Sequence, residues 1–412
     1  MTIEAYDGAT LAPRTILYTG KGGVGKTSVA AATARRSAAA GLRTIVLSTD
    51  PAHSLADSLE VELCGTPTEI APRLFGQEVK AQEEMERHWR AASGWLGELL
   101  ADRGVDPIIA EELTVPPGMD ELFALLQIKH HHESGDYDAI VVDCAPTGET
   151  LRLLSFPDVC TWWLEKVFPA QSRLLAAARP FARSLLPDVP LPSDAVLDDV
   201  ERLAHNLVAM NYILRDRRRT TVRLVVNPDR MVIKEAMRTF TYLNLYGYLT
   251  DAVVVNRVLP EEVAEGYFAP WRERQQEQLE LVHAGFSPVP VLTARHFPCE
   301  VVGPAMLDEL GEAVFDGGRA AHEVLHGELS QELSSEDGRA TLRLALPFAE
   351  RGDIELKKIG LEVIVRVAGH KRTIILPPAM ANYETSGARF EDGALEVSFD
   401  RAANGEPTAH TP

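Results

Sequence analysis

The chain has 412 residues, of which 45% are hydrophobic and 25% are charged, and its formal net charge at pH 7 is −19. These proportions are typical of a water-soluble globular protein, and the length favours two or more structural units. The acidic balance argues against a general nucleic-acid coat, because such proteins need basic patches to bind phosphates.

The cysteines and the apolar segments further restrict the class of protein and the kinds of site that we expect. Cys64, Cys144, Cys160 and Cys299 are far apart and form no C-x-x-C pair, which disfavours a disulfide framework and a cysteine-cage zinc site. Residues 1–7 lack the apolar region of a signal peptide, and no apolar stretch approaches the ~20 residues of a membrane span. We therefore expect a cytoplasmic protein with no membrane span, no zinc and no nucleic-acid partner.

The first predicted element is an apolar strand at residues 15–19, followed by Gly20-Lys21-Gly22-Gly23-Val24-Gly25-Lys26-Thr27 and a helix that opens at Ser28. The octapeptide satisfies G-x-x-x-x-G-K-[ST], the pattern of a phosphate-binding loop between a strand and a helix. Its glycines let backbone N–H groups point at an anion, and the helix N-terminus adds a favourable dipole. The pattern predicts an ATP site in which Lys26 neutralises the β- and γ-phosphates and the Thr27 hydroxyl binds Mg²⁺.

Two further strands, at residues 44–49 and 139–142, each lead into an acidic loop. Since the carboxyl ends of parallel strands share one edge of a sheet, Asp50 and Asp143 should lie beside the phosphate loop. Asp50 is placed to orient or deprotonate the attacking water and to contribute to the Mg²⁺ site, and Asp143 to support that site. The alternative for Asp50 is a helix N-cap, because Asp-Pro commonly starts a helix.

The remaining pattern up to about residue 318 indicates one large sheet. Two stretches without strand signal, at about residues 80–132 and 155–219, are interpreted as helical insertions. Apolar strands follow at residues 222–226, 252–255 and 289–292. Strands that are apolar throughout fit a sheet covered on both faces. The predicted class is α/β, a doubly wound, mostly parallel sheet of the P-loop NTPase type.

The composition changes near residues 316–318. A polar helix is expected next, followed by four short strands whose spacing suggests a small C-terminal all-β sandwich, at residues 341–347, 361–367, 371–377 and 395–399. The predicted division is therefore an ATPase domain, a β-sandwich and a flexible tail, at residues 1–330, 335–400 and 401–412.

Lys21 is the unusual residue of the phosphate loop, because such a loop has no general need for a second cation near its start. A useful geometry is a face-to-face homodimer in which Lys21 reaches the partner's nucleotide and adds positive charge in the transition state, like an arginine finger. The alternative is a solvated loop lysine.

These motifs carry a family resemblance. Lys21–Thr27 resembles the deviant Walker A motif of the SIMIBI class of ATPases. Residues 50–54 and 145–148 resemble the two switch motifs of the ArsA/GET ATPases, which comprise arsenite-pump and tail-anchored-protein targeting enzymes. Asn256, Phe297 and Pro298 resemble the adenine-contacting positions of that group. The resemblance covers about residues 14–315, and the tail from about residue 340 to 399 is similar to the α-crystallin-like domain of small heat-shock proteins.

The resemblance implies a Mg²⁺-dependent ATPase that closes on ATP as a homodimer, with Lys26 acting in cis and Lys21 in trans. In targeting members the helical insertions form an apolar groove for a client helix, which the segment at residues 162–168 could line. Targeting or chaperoning of an apolar helical client, or work with a membrane-protein partner, is the leading function. An arsenite-efflux ATPase subunit is second, and a ParA/MinD-like positioning switch, disfavoured by the net charge, is third.

The chain also departs from the resembled group. Cys144 stands where threonine is common, and Glu149 where histidine is common. The zinc-binding C-x-x-C of targeting members and the clustered cysteines of an arsenite site are absent, which weakens both cellular roles and leaves the ATPase untouched. A single phosphate loop shows that the chain is not a tandem pump subunit.

Overall fold

The computed structural model describes thirteen parts of the chain, at residues 12–49, 54–79, 93–94, 97, 119–144, 194–263, 266–316, 319–328, 331–336, 339–346, 349–367, 370–376 and 380–401. They form an α/β domain followed by a smaller all-β domain. Asp50, the second switch segment at 145–150 and the aromatic segment at 162–168 lie outside the described residues.

Eight strands build the sheet of the first domain: β1 (Arg14–Thr19), β2 (Thr44–Ser48), β3 (Thr68–Ala71), β4 (Leu74–Glu78), β5 (Ala139–Asp143), β6 (Thr220–Val226), β7 (Thr250–Val258) and β8 (Val291–Arg295). Their order is β3-β4-β2-β5-β1-β6-β7-β8. Neighbours are parallel except β3 and β4, which form an antiparallel hairpin at one edge. The predicted mostly parallel sheet is confirmed.

Strands β3 and β4 were not predicted, because short segments with few apolar residues give little strand signal. β8 begins two residues later than predicted. Pro288 and Pro290 precede it, and proline has no N–H for the ladder, although the carbonyl oxygen of Pro290 accepts from Val253 N at 3.0 Å.

Seven α-helices accompany the strands within the described residues: α1 (Lys26–Ala39), α2 (Ser54–Leu59), α3 (Met119–Ser134), α4 (Asp194–Arg215), α5 (Arg230–Tyr246), α6 (Ala269–Phe286) and α7 (Gly303–Val314). Helices α3, α4, α5 and α6 pack on one face of the sheet, and α1, α2 and α7 pack on the other. Successive residues of one strand, Leu17 and Tyr18, enter opposite cores. A sheet covered on both faces is the doubly wound class that was predicted.

Helices α3 and α4 overlap the ends of the two predicted helical insertions, and most of the remainder of both intervals lies outside the described residues. None of the helices in the described part of the chain combines the length and apolarity that a membrane crossing needs.

The strands β1, β2 and β5 end side by side. Tyr18 of β1 and Ser48 of β2 both align with Asp143 of β5. The amide of Thr49 donates to the carbonyl of Asp143, and the amide of Cys144 donates to the carbonyl of Tyr18, each at 3.0 Å. The loops that follow the three strands therefore start from one edge of the sheet, as the parallel arrangement predicted.

Residues 319–328, which join the two domains, are not the polar helix that was expected. They form turns and irregular structure. A buried cluster of Arg14, Arg223 and Asp251 binds them on the side of the sheet where the parallel strands begin, opposite the phosphate loop. Arg223 donates to the carbonyl of Ala321 at 2.7 Å, and the carboxylate of Asp251 accepts from the amide of Leu325 at 3.1 Å. Backbone groups of the segment thus bind fixed charges of the sheet, where the sequence suggested helical turns.

The described part of the second domain contains seven strands: β9 (Gln331–Glu336), β10 (Arg339–Ala345), β11 (Ile354–Ile359), β12 (Glu362–Val367), β13 (His370–Ile375), β14 (Tyr383–Glu391) and β15 (Ala394–Arg401). They form two antiparallel sheets, ordered β14-β15-β10-β9 and β11-β12-β13, over one apolar core. The predicted all-β domain is confirmed. Strands β9, β11 and β14 were missed, since each is rich in polar residues and takes its place by pairing with an apolar neighbour.

Candidate functional site

The phosphate loop, residues 20–25, joins β1 to α1 as the motif requires. Gly25 caps the helix in the left-handed region, at φ 95°, where a side chain is strained. A Cβ atom on Gly20 would collide with the carbonyl oxygen of Val225, and one on Gly25 with the side-chain amide of Asn256. A Cβ on Gly22 or Gly23 would meet nothing within 4 Å, so this side of the loop is open. The loop is thus packed against Val225 and Asn256 on one side, and its backbone at Gly22 and Gly23 is open on the other.

Lys26 is the first residue of α1 and is only 6% exposed. Its ammonium group donates to the carbonyl of Lys21 at 3.5 Å, across the mouth of the loop. Val24, between them in sequence, is buried in the core below and anchors the loop to the sheet. A cation fixed at a helix N-terminus beside open backbone N–H groups fits a phosphate chain.

A cavity of about 700 Å³ opens over the loop. Beyond the loop, it is lined by Ser54, Asp57 and Ser58 of α2, by Asn256 and Arg257 at the end of β7, and by residues 295–302 after β8. A space of this size accepts a nucleotide-sized ligand. Its wall therefore combines a phosphate cradle at one end with a mixed polar and apolar loop at the other.

The hydroxyl groups of Thr27 and Ser54 lie 3.1 Å apart at the floor of this cavity. Asp57, one turn further along α2, also lines it. Hydroxyl and carboxylate oxygens are the donors that Mg²⁺ prefers, so the residues present fit that ion. The sequence prediction of the Mg²⁺ site included Thr27 and missed Ser54 and Asp57. Ser54 and Asp57 are three residues apart, a spacing that places both on one side of a helix and could have indicated a shared site.

Asp143 is fully buried at the end of β5, next to β1. This position is consistent with the predicted support of the Mg²⁺ site. Burial, reinforced by the neighbouring charge of Asp143, raises the pKa of Cys144 far above its ordinary range. Cys144 is therefore a protonated thiol at neutral pH, which is neither a nucleophile nor a ready metal ligand.

Asn256 lines the cavity next to the phosphate loop, and Phe297 and Pro298 line the part formed by residues 295–302. The side-chain N–H of Asn256 donates to the carbonyl of Val24 at 2.9 Å, and its oxygen accepts from the amide of Arg257 at 2.9 Å. Asn256 therefore also fastens the phosphate loop to β7. The guanidinium of Arg295 stacks 5.1 Å from the ring centre of Phe297, a feature that the sequence reasoning did not anticipate.

Lys21 lies apart from the other loop side chains. Its ammonium group is 3.6 Å from the carboxylate of Glu235 on α5, with 41% of the Lys21 side chain and 30% of the Glu235 side chain exposed. The structure thus brings together Gly20–Ser28, Asn256, Phe297, Pro298 and Asp143 at one sheet edge. It directs the Lys21 side chain outward.

Comparison with known proteins agrees with this site. A sequence model of the anion-transporting ATPase family, ArsA type, matches residues 13–316, and one of the HSP20-like domain found in ArsA matches residues 337–399. A Chlorobaculum tepidum protein is 37% identical over 398 residues, covering 95% of this chain and 97% of the relative. An Aquifex aeolicus protein is 35% identical over 394 residues, covering 93% and 99%.

Both of these relatives carry the provisional name arsenical pump-driving ATPase. The ATPase GET3B of Arabidopsis thaliana is 32% identical over 321 residues, which cover 72% of this chain and 77% of that protein. The resemblance read from the switches and the C-terminal strands is confirmed. With a nucleotide-sized cavity over a phosphate loop and a family match over most of its length, the chain belongs to the anion-transporting ATPase family of the ArsA type and is an ATPase with a C-terminal HSP20-like domain.

Proposed function

We propose that the protein is a Mg²⁺-dependent ATPase that works as a nucleotide-gated homodimer in the targeting or chaperoning of client proteins. The observation that carries the proposal is the division of labour between two lysines of one loop. Lys26 is buried in the cradle, and Lys21 is half-exposed and turned away from it. A phosphate loop that acts within one chain needs Lys26 and has no use for Lys21.

Hydrolysis needs charge neutralisation and a positioned water more than covalent chemistry. Lys26 and the loop amides hold the β- and γ-phosphates. Thr27, Ser54, Asp57 and Asp50 would hold Mg²⁺ through their side-chain oxygens, and Asp143 would support that site. Bound Mg²⁺ would neutralise charge on the phosphate oxygens. Asp50 accepts the proton of the water that attacks the γ-phosphorus, while the bond to the β–γ bridging oxygen breaks and ADP leaves with that electron pair.

The other end of the cavity receives the nucleoside. Asn256 lines the cavity beside the loop, where its side-chain amide can contact the base while it also holds Val24. Phe297 and Pro298 offer apolar surface to a planar ring, and the stacked guanidinium of Arg295 stiffens that wall. We assign these three positions to adenine binding.

The HSP20-like domain supports the client-handling part of the proposal. Its strands β10 and β13 pack against α5, the helix that also carries the partner of Lys21. A domain of a chaperone-like type in contact with a helix that reaches a side chain of the phosphate loop suits an ATPase whose nucleotide state controls a bound protein.

Mixing an impaired variant, Lys21→Ala, with an inactive one, Lys26→Ala, tests the trans role of Lys21. Lys21→Ala should lower ATP turnover at least tenfold, since it removes a transition-state cation, and Lys26→Ala should be inactive. A mixed dimer contains one composite site with both lysines intact. Random mixing of equal amounts should therefore restore roughly a quarter of wild-type turnover. Absence of recovery in dimers shown to exchange subunits, or normal turnover of Lys21→Ala as a monomer, would refute the trans lysine.

The Asp50→Asn substitution tests the water-activating role. The amide cannot take up the proton, so kcat should fall about a hundredfold while ATP affinity stays close to wild type. Pre-steady-state turnover and equilibrium nucleotide binding measure the two quantities separately. An unchanged kcat would remove Asp50 from the mechanism and leave the helix N-cap as its role.

The names of the bacterial relatives favour a second candidate, an ATPase subunit that drives an arsenical pump. Here hydrolysis should rise several-fold on addition of arsenite, whereas a targeting ATPase should respond to an apolar helical peptide. Measuring turnover with each ligand separates the two functions, because stimulation by arsenite alone contradicts the client-handling proposal.

A further inference from the structure

The pair between Lys21 and Glu235 lies on a particular side of the nucleotide site. In the sheet, β5 flanks β1 on one side and β6 flanks it on the other. Asp143 ends β5, on the side of β1 where β2 also lies. Helix α5 follows β6, so Glu235 draws Lys21 to the opposite side of the phosphate loop from Asp143.

Helix α5 holds its Glu235 carboxylate in a well-defined place. Asp229 caps the N-terminus by accepting from the amides of Met231 and Val232 at 2.9 and 3.3 Å. Gly247 ends the helix in the left-handed conformation. Ile233 and Leu243 are fully buried against the sheet. The β-domain packs on the helix as well. The helix backbone that carries Glu235 is therefore fixed at both ends and against the sheet.

The β-domain packs against the helix that carries Glu235. Tyr242 follows Glu235 by seven residues, which places the two side chains two turns apart and about 10 Å along the axis. Burial raises the pKa of Tyr242; the charge of Arg238 opposes this shift, and the charge of Asp353 in the β-domain adds to it. The position of Glu235 thus depends on a helix that the β-domain helps to hold.

We propose that Glu235 is a positioning residue that retains Lys21 on its own subunit until the partner's nucleotide takes it. This inference rests on the proposed trans role of Lys21. The ammonium group cannot sit on the carboxylate of Glu235 and on a phosphate of the other subunit at once. Because both side chains are partly exposed, water and salt weaken the pair, and a nucleotide with several negative charges can displace it. Glu235 therefore restrains turnover without preventing it.

Removing the carboxylate tests the inference. Glu235→Gln should raise kcat about twofold to fivefold, the factor expected for an exposed ion pair, with the KM for ATP unchanged. Glu235→Asp keeps the charge and should stay closer to wild type. Glu277→Gln removes an exposed glutamate of α6 and should leave kcat as it was. Thermal unfolding of all variants checks that the fold is intact.

The double variant Lys21→Ala/Glu235→Gln shows whether the effect passes through Lys21. In the Lys21→Ala background the gain from Glu235→Gln should vanish, because there is no ammonium group left to release. A gain that persists there, an unchanged kcat in Glu235→Gln, or a fall in kcat would each overturn the inference. Failure of the mixed-dimer recovery is a separate result, and it would overturn the trans lysine itself.

Discussion

Replacing Lys26 by alanine is expected to lower kcat/KM for ATP hydrolysis more than a thousandfold, equivalent to over ~4 kcal/mol of transition-state stabilisation. The reason is the placement of its ammonium group, which is 6% exposed at the first turn of α1 inside the cavity. Without it, the phosphate loop of this subunit offers the β- and γ-phosphates backbone dipoles and no buried cation of its own. Alanine suits a helix, so the fold should be unaffected.

Equilibrium binding of ATP and steady-state turnover measure this effect. Lys234→Ala is the matched control, because Lys234 is an exposed lysine on α5, the helix that bears Glu235, and its loss should change neither quantity. ATP affinity retained by Lys26→Ala would refute the assignment of the phosphate loop.

Asp251→Asn is expected to destabilise the protein by about 3–5 kcal/mol, the cost of breaking a buried ion pair. Asp251 and Arg223 are both fully buried, with the Arg223 Nε to Asp251 Oδ1 distance at 3.1 Å, and Arg14 donates to the same carboxylate at 3.1 Å. Although burial alone would lower the pKa of Arg223, the charge of Asp251 raises it. Burial lowers the pKa of Arg14 to about 10. Losing the carboxylate charge leaves two buried cations facing each other.

Chemical denaturation of the purified variant measures the loss. Asp308→Asn provides the control, since Asp308 pairs with Arg35 at 2.7 Å but is 53% exposed, and its loss should cost less than about 1 kcal/mol. Hydrogen exchange at residues 319–328 should also accelerate in Asp251→Asn, because Leu325 loses its charged acceptor. Equal effects of the two substitutions would show that the buried cluster does not hold the joining segment.

Some features could be predicted from the sequence because their causes are local. The phosphate loop requires glycines and a lysine at fixed spacing between a strand and a helix, and each requirement is met by adjacent residues. Strands that are buried on both faces can be recognised in the sequence as continuous apolar runs, as at β5 and β7. From these, parallel pairing and the common edge of the three loops followed.

Other features escaped prediction because their causes are distant in the chain. The polar strands β11 and β14 exist because an apolar strand offers them a ladder, which their own composition does not reveal. The expected polar helix after residue 318 failed for a similar reason, since fixed charges from β1, β6 and β7 capture that backbone.

The sequence by itself indicated a phosphate-binding loop, a doubly wound sheet and an all-β domain. These features depend on periodicity and motif spacing, which involve only a few neighbouring residues. Only the tertiary structure decided which charges meet. Arg14 and Asp251 are 237 residues apart in the sequence. Lys21 lies in the phosphate loop, whereas Glu235 lies on helix α5. Coulomb attraction depends on separation in space, and the folded sheet sets that separation.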